Sequence, residues 1–394
     1  MPLLTCLSRT WAHIQDNLFP WLTEELGPLT EAHKRVVMTL ELAGVEAFVQ
    51  VWSGLPGRPP RDRATLARAF VAKAVLGLPT TAMLIERLTV DKQLRRLCGW
   101  EHPGQVPSEA TFSRAFAEFA RSELPGRLHE ALIKRSHKDR LVGHISRDAT
   151  AIEAREKPVK TAAPGASTSA QASTSAQPPK RKRGRPRKGE AVEKKEPRRL
   201  ERQAAMSPAM SLDEMLSDLP THCAVGTKRN AKGHTTSWIG YKLHLDVADG
   251  DIPISAVLTS ASVHDSQVAI PLATMTACRV TNLYDLMDSA YDAPEIEAKS
   301  RALGHVPIID RHPRSVPGGK EAIAAEARAQ RKAGYVLAED VRYNERSAAE
   351  RVNGRIKDDF GARHVRVRGH AKVFCHLMFG VLALAIDQLM RLVT

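Results

Sequence analysis

Three acidic residues occupy positions from which carboxylates remote in sequence can meet. Asp148 lies in the strand-like stretch LVGHISRDATAIEA, Asp288 closes the stretch NLYDLMD, and Glu350 lies in the helical stretch YNERSAAERVNGRIK. Carboxylate oxygens are the ligands that Mg²⁺ and Mn²⁺ prefer. Two such ions carry four positive charges, which three carboxylates and one phosphodiester would neutralise. The three residues are therefore candidates for two-metal phosphoryl transfer.

Position alone does not separate these three acids from their neighbours. Asp285, Asp292, Asp340 and Glu345 lie close to them in the sequence and are alternatives. Most surface acids are solvated charges with no chemical role, so a second pattern is needed to choose among them.

The helical stretch around Glu350 supplies that pattern. Tyr343, Arg346, Glu350 and Lys357 lie at offsets of zero, three, seven and fourteen residues. At roughly 100° per residue, these offsets fall within an arc of about 60° on a helix. A Tyr hydroxyl, an Arg fork and a Lys ammonium on one face would grip a phosphate backbone while the Glu holds metal. The alternative is an ordinary charged helix face with i,i+4 pairs.

The spacing Y-x2-R-x3-E-x6-K resembles the YREK signature of bacterial insertion-sequence transposases of the DDE class. Other stretches resemble further parts of that family. They are RDATAIEA for the first catalytic strand, WIGYKLHLDVADGDIPISAVLTSASVHDSQVAIPL for the central hairpin and following helix, LMDSAYDAPEI for the second-aspartate motif, and PSEATFSRAFAEF for the helical N-terminal domain.

The resemblance implies a fold, a cofactor and roles for the residues. The fold is an α/β, RNase H-like mixed sheet flanked by helices and preceded by an all-α N-terminal domain. Asp148 would bridge two Mg²⁺ (or Mn²⁺) ions, and Asp288 and Glu350 would each help to hold one. The ions would activate water to free a 3′-hydroxyl at the transposon end, and that hydroxyl would attack target DNA. Tyr343, Arg346 and Lys357 would position the phosphates of the transposon end.

The implied partners are double-stranded DNA, as transposon ends and target, and a second copy of the chain in a homodimer that joins two ends. The implied location is the cytoplasm of a bacterium, at the nucleoid. Some relatives carry a large insertion before the glutamate helix, with an aromatic residue that holds a flipped base. Here residues 311–342 stand at that place and contain no Trp, so the processing of the second strand stays open.

The elements that must position these residues follow from the apolar pattern. Residues 1–137 show three- and four-residue apolar spacing, which predicts a helical domain for binding DNA ends or, alternatively, a plain helical bundle. Residues 138–394 read as strand, insert, strand, strand, helix, strand, helix, strand and helix, which predicts the catalytic domain. Ser108 is a predicted helix N-cap, and Asp265, in the family-like stretch SVHDSQ, is read in the same way.

Residues 157–212 interrupt the catalytic domain. They are rich in Ala, Ser, Thr, Pro, Gln, Lys and Arg, which predicts disorder because such a segment buries too little apolar area. The stretch KRKRGRPRKGE within it resembles an AT-hook. Gly184 would let the backbone enter the minor groove, and Pro186 would bias Arg185 towards an extended conformation. The predicted hook residues are Lys182, Arg183, Gly184, Arg185, Pro186 and Arg187. A basic linker that binds any DNA weakly, or an import-like tag, is the alternative.

Charge and composition agree with a nucleic-acid partner. The net charge is +14, and residues 180–202 hold twelve Lys or Arg against four Glu, so that stretch alone carries +8. The five cysteines include no CxxC pair, which indicates a reducing compartment. The apolar run LMFGVLALAI is too short to span a bilayer and predicts a buried helix, so no membrane partner is expected.

Three functions are compatible with these residues. The first is an active DNA transposase. The second is a decayed or repurposed copy that only binds DNA. The third is a nuclease or resolvase that shares the RNase H-like fold, against which the Tyr-Arg-Glu-Lys helix argues.

Overall fold

The computed structural model describes residues 3–49, 61–138, 140–159, 198–205, 209–229 and 233–393. The AT-hook-like residues 182–187 lie outside these ranges, so their role stays a prediction from the sequence.

The N-terminal part is helical, as its apolar spacing predicts. Its helices are α1 Leu3–His13, α2 Phe19–Leu26, α3 Glu31–Ala43, α4 Arg63–Val75, α5 Thr81–Val90, α6 Lys92–Cys98, α7 Glu109–Arg121 and α8 Leu124–His137. Asp62 caps α4 by accepting from the backbone N–H groups of Ala64 and Thr65, and Thr80 caps α5 through Met83 N–H. Ser108 is the N-cap residue of α7, but its hydroxyl lies against the Thr111 hydroxyl and makes no capping bond.

The second part is a mixed sheet flanked by helices, and it confirms the predicted RNase H-like class. Its strands are β1 Leu141–Glu153, β2 Ala224–Arg229, β3 Thr235–Ala248, β4 Ile252–Ser260, β5 Thr281–Met287 and β6 Val306–Ile309. Strand β1 pairs antiparallel with β3 and parallel with β5, and β5 pairs parallel with β6. The far side of β3 pairs with β2 along its first half and with β4 along its second half. The predicted hairpin is β3–β4.

The remaining helices cover this sheet and close the chain. They are α9 Arg199–Ala204, α10 Leu212–Ser217, α11 Ser266–Ala277, α12 Pro294–Ala302, α13 Gly319–Ala333, α14 Ala338–Tyr343, α15 Ser347–Asp358 and α16 His370–Arg391. The stretch predicted as one helix around Glu350 consists of the end of α14, a 3₁₀ turn over Asn344–Arg346, and α15.

Helix α16 joins the two parts of the chain. It packs against α3, α4, α7 and α8 on one side and against β4 on the other. Phe379 lies 5.9 Å from Phe70 of α4 and 6.5 Å from Phe116 of α7, ring centre to ring centre. Among the described helices, α16 has the length and hydropathy to cross a membrane, yet 83% of its most apolar window is buried within the protein. It is a core helix, as its bounded apolar run predicts.

One segment differs from the expectation of disorder between residues 157 and 212. Helix α9 lies inside that span and packs against α11 and α12. Arg199 and Arg202 both pair with Asp218, and Leu200 and Ala204 pack against a small apolar cluster under the sheet. Composition averages over the whole insert and hides these few apolar and paired residues at its end.

Candidate active site

Asp148 lies in the middle of β1, on the sheet face that α15 covers. Side chains alternate between the faces of a strand, so Ser146 and Asp148 share one face. The Ser146 hydroxyl donates to the backbone oxygen of Arg346 at 2.7 Å, and Asn353 Nδ2 donates to Asp148 Oδ2 at 3.0 Å. These two contacts fix the start and the middle of the glutamate helix against β1.

Asp288 follows the neighbouring strand β5 directly. Because β1 and β5 run parallel, with Ser146 opposite Leu286, both aspartates lie two positions beyond a paired residue. Their carboxylates therefore lie beside each other, where β5 ends and β1 continues, and the charge of Asp288 acts on Asp148. Asp288 Oδ1 accepts a hydrogen bond from Ala290 N–H at 2.9 Å, which makes Asp288 the cap of a 3₁₀ turn and fixes its direction.

Burial and mutual repulsion mark the two aspartates as an electrostatically strained pair. Burial, together with the charge of Asp288, raises the pKa of the Asp148 carboxyl from 3.8 to about 6. Burial also raises the pKa of Asp288, against the opposing effect of Arg346 and Lys228. A divalent cation between the two carboxylates would relieve both costs.

Glu350 lies on the same helix but does not join this pair. Its side chain is 56% exposed, and its Oε1 accepts from Arg346 Nη2 at 2.6 Å. Within the described ranges, no three His, Cys, Asp or Glu side chains come close enough together to hold a metal ion. The structure thus brings Asp148 and Asp288 together and turns Glu350 towards Arg346.

The three predicted phosphate-binding residues each interact electrostatically with Asp148 or Asp288. The Arg346 guanidinium lies 5.7 Å from the centre of the Tyr343 ring, and its charge acts on both Asp148 and Asp288. Burial, then repulsion from Arg363 and Lys228, lowers the pKa of Lys357, while Asp148 opposes this effect. Positive charge therefore borders the two carboxylates along the length of α15.

Three residues at the site are absent from the set predicted from the sequence. Asn353 lies seven positions after Arg346 and so occupies the same helix face, a spacing that could have revealed it. Lys228 comes from β2, beyond the insert. Tyr291 lies in the stretch DSAYD with its hydroxyl buried and unpaired within the described chain, and burial, then Asp265, raises the pKa of that hydroxyl far above its usual value.

The alternative acids have other structural roles. Asp285 is buried and accepts from His305, Ser300 and Asn282. Asp292 accepts from His312 N–H at 2.8 Å and binds a loop. Asp340 and Glu345 are exposed. These environments leave Asp148 and Asp288 as the acids that share one site.

Asp265 is the N-cap residue of α11, but its carboxylate makes no capping hydrogen bond. It accepts instead from Lys242 Nζ at 2.8 Å, and the same ammonium donates to the backbone oxygen of Val263 at 2.8 Å. The sequence identified the position correctly and missed the partner, which lies on β3.

The opposite face of β1 holds a buried ion pair. Arg147 Nε and Nη2 donate to the two carboxylate oxygens of Asp246 at 2.7 and 2.8 Å, and both side chains are almost fully buried. Thr276 of α11 donates to Asp246 Oδ2 at 2.6 Å, and Arg147 Nη1 lies 3.3 Å from the sulfur of Met287. This cluster ties β1, β3, β5 and α11 together directly behind Asp148.

Two of the three residues expected as metal ligands are placed to bind Mg²⁺. Asp148 and Asp288 offer oxygen ligands, and the buried Oδ1 of Asn353 has no hydrogen-bond partner in the described chain. Glu350 would complete the set only after leaving Arg346.

Two comparisons by family bear on these residues. Residues 207–386 match the family model of the transposase DDE domain, and residues 28–118 match that of a transposase domain, DUF772. The first match includes Asp288 and Glu350 but begins after Asp148, which the sheet brings to the same site. No curated protein and no solved structure matches the chain.

We predict that Asp148→Asn stabilises the metal-free protein at neutral pH. Between about pH 4 and 6 the folded chain binds the Asp148 proton more tightly than the unfolded chain, so this contribution to stability falls as pH rises. Urea unfolding in EDTA should show a gain of as much as about 3 kcal/mol at pH 7.5, at about 1.36 kcal/mol per pKa unit, and a smaller gain at pH 5.

Asp340→Asn, at an exposed acid, is the control and should change little at either pH. Added Mg²⁺ should raise the melting temperature of the parent protein at pH 7.5 more than that of Asp148→Asn. Equal stability of Asp148→Asn and the parent in EDTA at pH 7.5 would contradict the assignment of a strained carboxylate pair.

We predict that Asp246→Ala strongly destabilises the fold. The substitution leaves the Arg147 guanidinium buried without its counter-charge, which costs about 3–5 kcal/mol. Asp358→Ala is the control, because Asp358 accepts two bonds from Arg363 at the surface, where about 0–1 kcal/mol is expected. If urea unfolding showed equal losses of unfolding free energy for both variants, the buried pair would stabilise the fold no more than a surface pair.

Proposed function

We propose that this chain, which carries a transposase DDE domain and a second transposase domain, is a DNA transposase that cuts phosphodiester bonds at transposon ends and joins the freed 3′-hydroxyls to target DNA. The observation that carries the proposal is the placement of Asp148, in the middle of β1, beside Asp288, directly after the parallel strand β5, beneath a helix that presents cations. The substrate is double-stranded DNA in the bacterial cytoplasm, and a homodimer would hold the two ends that must be joined.

The chain's own residues suggest how the site would work. Mg²⁺ bound there would supply a water of lowered pKa and charge stabilisation for the in-line transfer. Asp148 and Asp288 would hold the metal, and Asn353 would fix the Asp148 carboxylate through its amide. Tyr343, Arg346 and Lys357 would hold the phosphates of the transposon end, as a YREK set.

Glu350 would enter the site by exchanging partners. In the DNA-free chain its carboxylate neutralises Arg346. A DNA phosphate would compete for that guanidinium, since Arg binds phosphate in the same two-bond geometry as carboxylate. Glu350, one helical turn from Asn353, would then be free to serve as a further metal ligand.

We predict that the purified protein nicks labelled transposon-end DNA in Mg²⁺ and that Asp148→Ala, Asp288→Ala and Glu350→Ala each abolish nicking. Asn353→Ala should lower the rate by about 10- to 100-fold, because Asn353 orients a metal ligand. Asp340→Ala is the control and should nick at the parental rate.

Tight DNA binding without nicking in Mg²⁺ or Mn²⁺ would favour the second candidate, a DNA-binding protein without catalysis. The observation that speaks for this candidate is the Arg346–Glu350 pair, which keeps the third carboxylate away from the other two.

The AT-hook-like segment gives a separate prediction. Deletion of residues 180–190 removes seven cations, so it should lower affinity for A·T-rich duplexes and make binding less dependent on salt, at about 0.9 in the logarithmic slope per lost phosphate contact. Circular dichroism should show the same fold. Unchanged affinity across a salt series would refute the hook.

A further inference from the structure

A cavity lies away from the aspartate pair, at the junction between the N-terminal helices and residues 360–379. Its volume is about 690 Å³, which lies within the roughly 300–1,000 Å³ range of ligand sites. One wall comes from α4, α5 and α7, and the other from residues 360–379, with Arg155 at the rim just beyond β1.

The cavity is lined by far more positive than negative charge. Its cations are Lys73, Arg155, Arg366, Arg368 and Lys372, and Glu109 is the acid among the lining residues. Within the described chain, none of the five cations forms an ion pair with a carboxylate. A wall of this kind attracts anions.

Lys73 differs from the other four cations because it is buried. It is only 7% exposed, and burial alone lowers the pKa of its ammonium to about 8. Its neighbour His376 cannot supply a negative charge, and burial, then the charge of Lys73, lowers the pKa of His376 to about 4; its ring N–H donates to Gly361 O at 3.1 Å. A buried ammonium without a counter-charge is costly, and a bound anion would offset that cost.

The floor of the cavity is apolar and aromatic. Phe70, Phe116 and Phe379 pack together there, with ring centres 5.0 to 6.5 Å apart, and Phe360 joins the lining. Cations above an aromatic floor suit an anion attached to a carbon skeleton, such as a phosphate ester, better than a free, fully hydrated ion.

The C-terminal half of α15 leads from the aspartate pair to the cavity. Asn353, which contacts Asp148, lies in that half, and Phe360, which lines the cavity, comes two residues after α15 ends at Asp358. From Asn353 to Asp358 the helix rises about 7.5 Å. Lys357, whose charge interacts with that of Asp148, lies between them. A strand held at the aspartates could run along α15 and reach the cavity within a few nucleotides.

We propose that this cavity binds a backbone phosphate of the DNA strand a few nucleotides from the scissile bond, with Lys73 as its buried counter-charge. The identity of the ligand as DNA rests on the proposed function, whereas the anion site rests on the cavity itself. The site would tie the N-terminal helices to the strand that the catalytic sheet cuts.

The test uses the full chain in EDTA, so that cutting does not interfere. Lys73→Met keeps the packing of the lysine stem, and Lys372→Gln changes an exposed lining residue that the fold does not need. Lys332→Gln, at an exposed lysine of α13 outside the cavity, is the charge-matched control. Fluorescence anisotropy with labelled duplex and single-stranded DNA should show about tenfold weaker binding for each cavity variant. The control should bind with the affinity of the parent protein.

A second arm separates DNA from a free anion. Melting temperature is measured with added sodium phosphate for the parent and for Lys73→Met. Phosphate stabilisation that depends on Lys73, with unchanged DNA affinity, would overturn the proposal in favour of a small-anion site. Unchanged DNA affinity in both cavity variants without phosphate stabilisation would overturn it altogether. Weaker DNA binding in the cavity variants of a protein that never nicks DNA would sustain the cavity and refute the proposed catalysis.

Discussion

The buried pair between Arg147 and Asp246 is the constraint on which the site depends. Both side chains have almost no contact with solvent, so each charge must be neutralised by the other. The geometry of the pair can therefore change little. The pair sits directly across the β1–β3 ladder, and Thr276 and Met287 extend it to α11 and β5. Since side chains alternate along a strand, fixing Arg147 on one face fixes Asp148 on the other. A slip of one residue would bury the carboxylate among the helices behind the sheet.

The N-terminal helices and the sheet share one hydrophobic core, which is built around α16. Its apolar surface is shared between the N-terminal helices and β4, so neither half buries its own core alone. The transposase domain matched over residues 28–118 and the DDE domain matched over residues 207–386 are therefore in direct contact. The cationic cavity forms at this junction, where α4 and α7 face the segment between α15 and α16. Its lining requires both halves, which is why no single stretch of sequence reveals it.

Much of the sheet could be predicted from the sequence because strand periodicity and turn residues are local signals. The hairpin β3–β4 and the alternation of β5, α12 and β6 follow from such patterns, whereas the choice of Asp148 and Asp288 among the neighbouring acids rests on the resemblance of the stretches around them to a known family. Lys228 could not be predicted in this way, because no local pattern shows that β2 lies near Asp148. Helix spacing places Asn353 on the face of Arg346, but its bond to Asp148 follows only from how α15 packs on β1. The orientation of the Glu350 side chain could not be predicted from the sequence either. Helix periodicity places it on the right face but does not say whether its carboxylate pairs with Arg346, one turn earlier, or with a metal.

The charge balance at the site accounts for the direction of the Glu350 side chain. Two partly buried carboxylates already repel each other, and burial with this repulsion raises the pKa of Asp148. A third carboxylate turned inwards would add repulsion without any cation to offset it. Glu350 instead neutralises Arg346 at the surface, where solvent screens both charges. Metal and phosphate, bound as proposed, would together reverse the balance, because one would supply positive charge for the carboxylates and the other negative charge for the arginine. The site would thus be completed by the arrival of its own substrates, and three inward carboxylates would be unfavourable before they arrive.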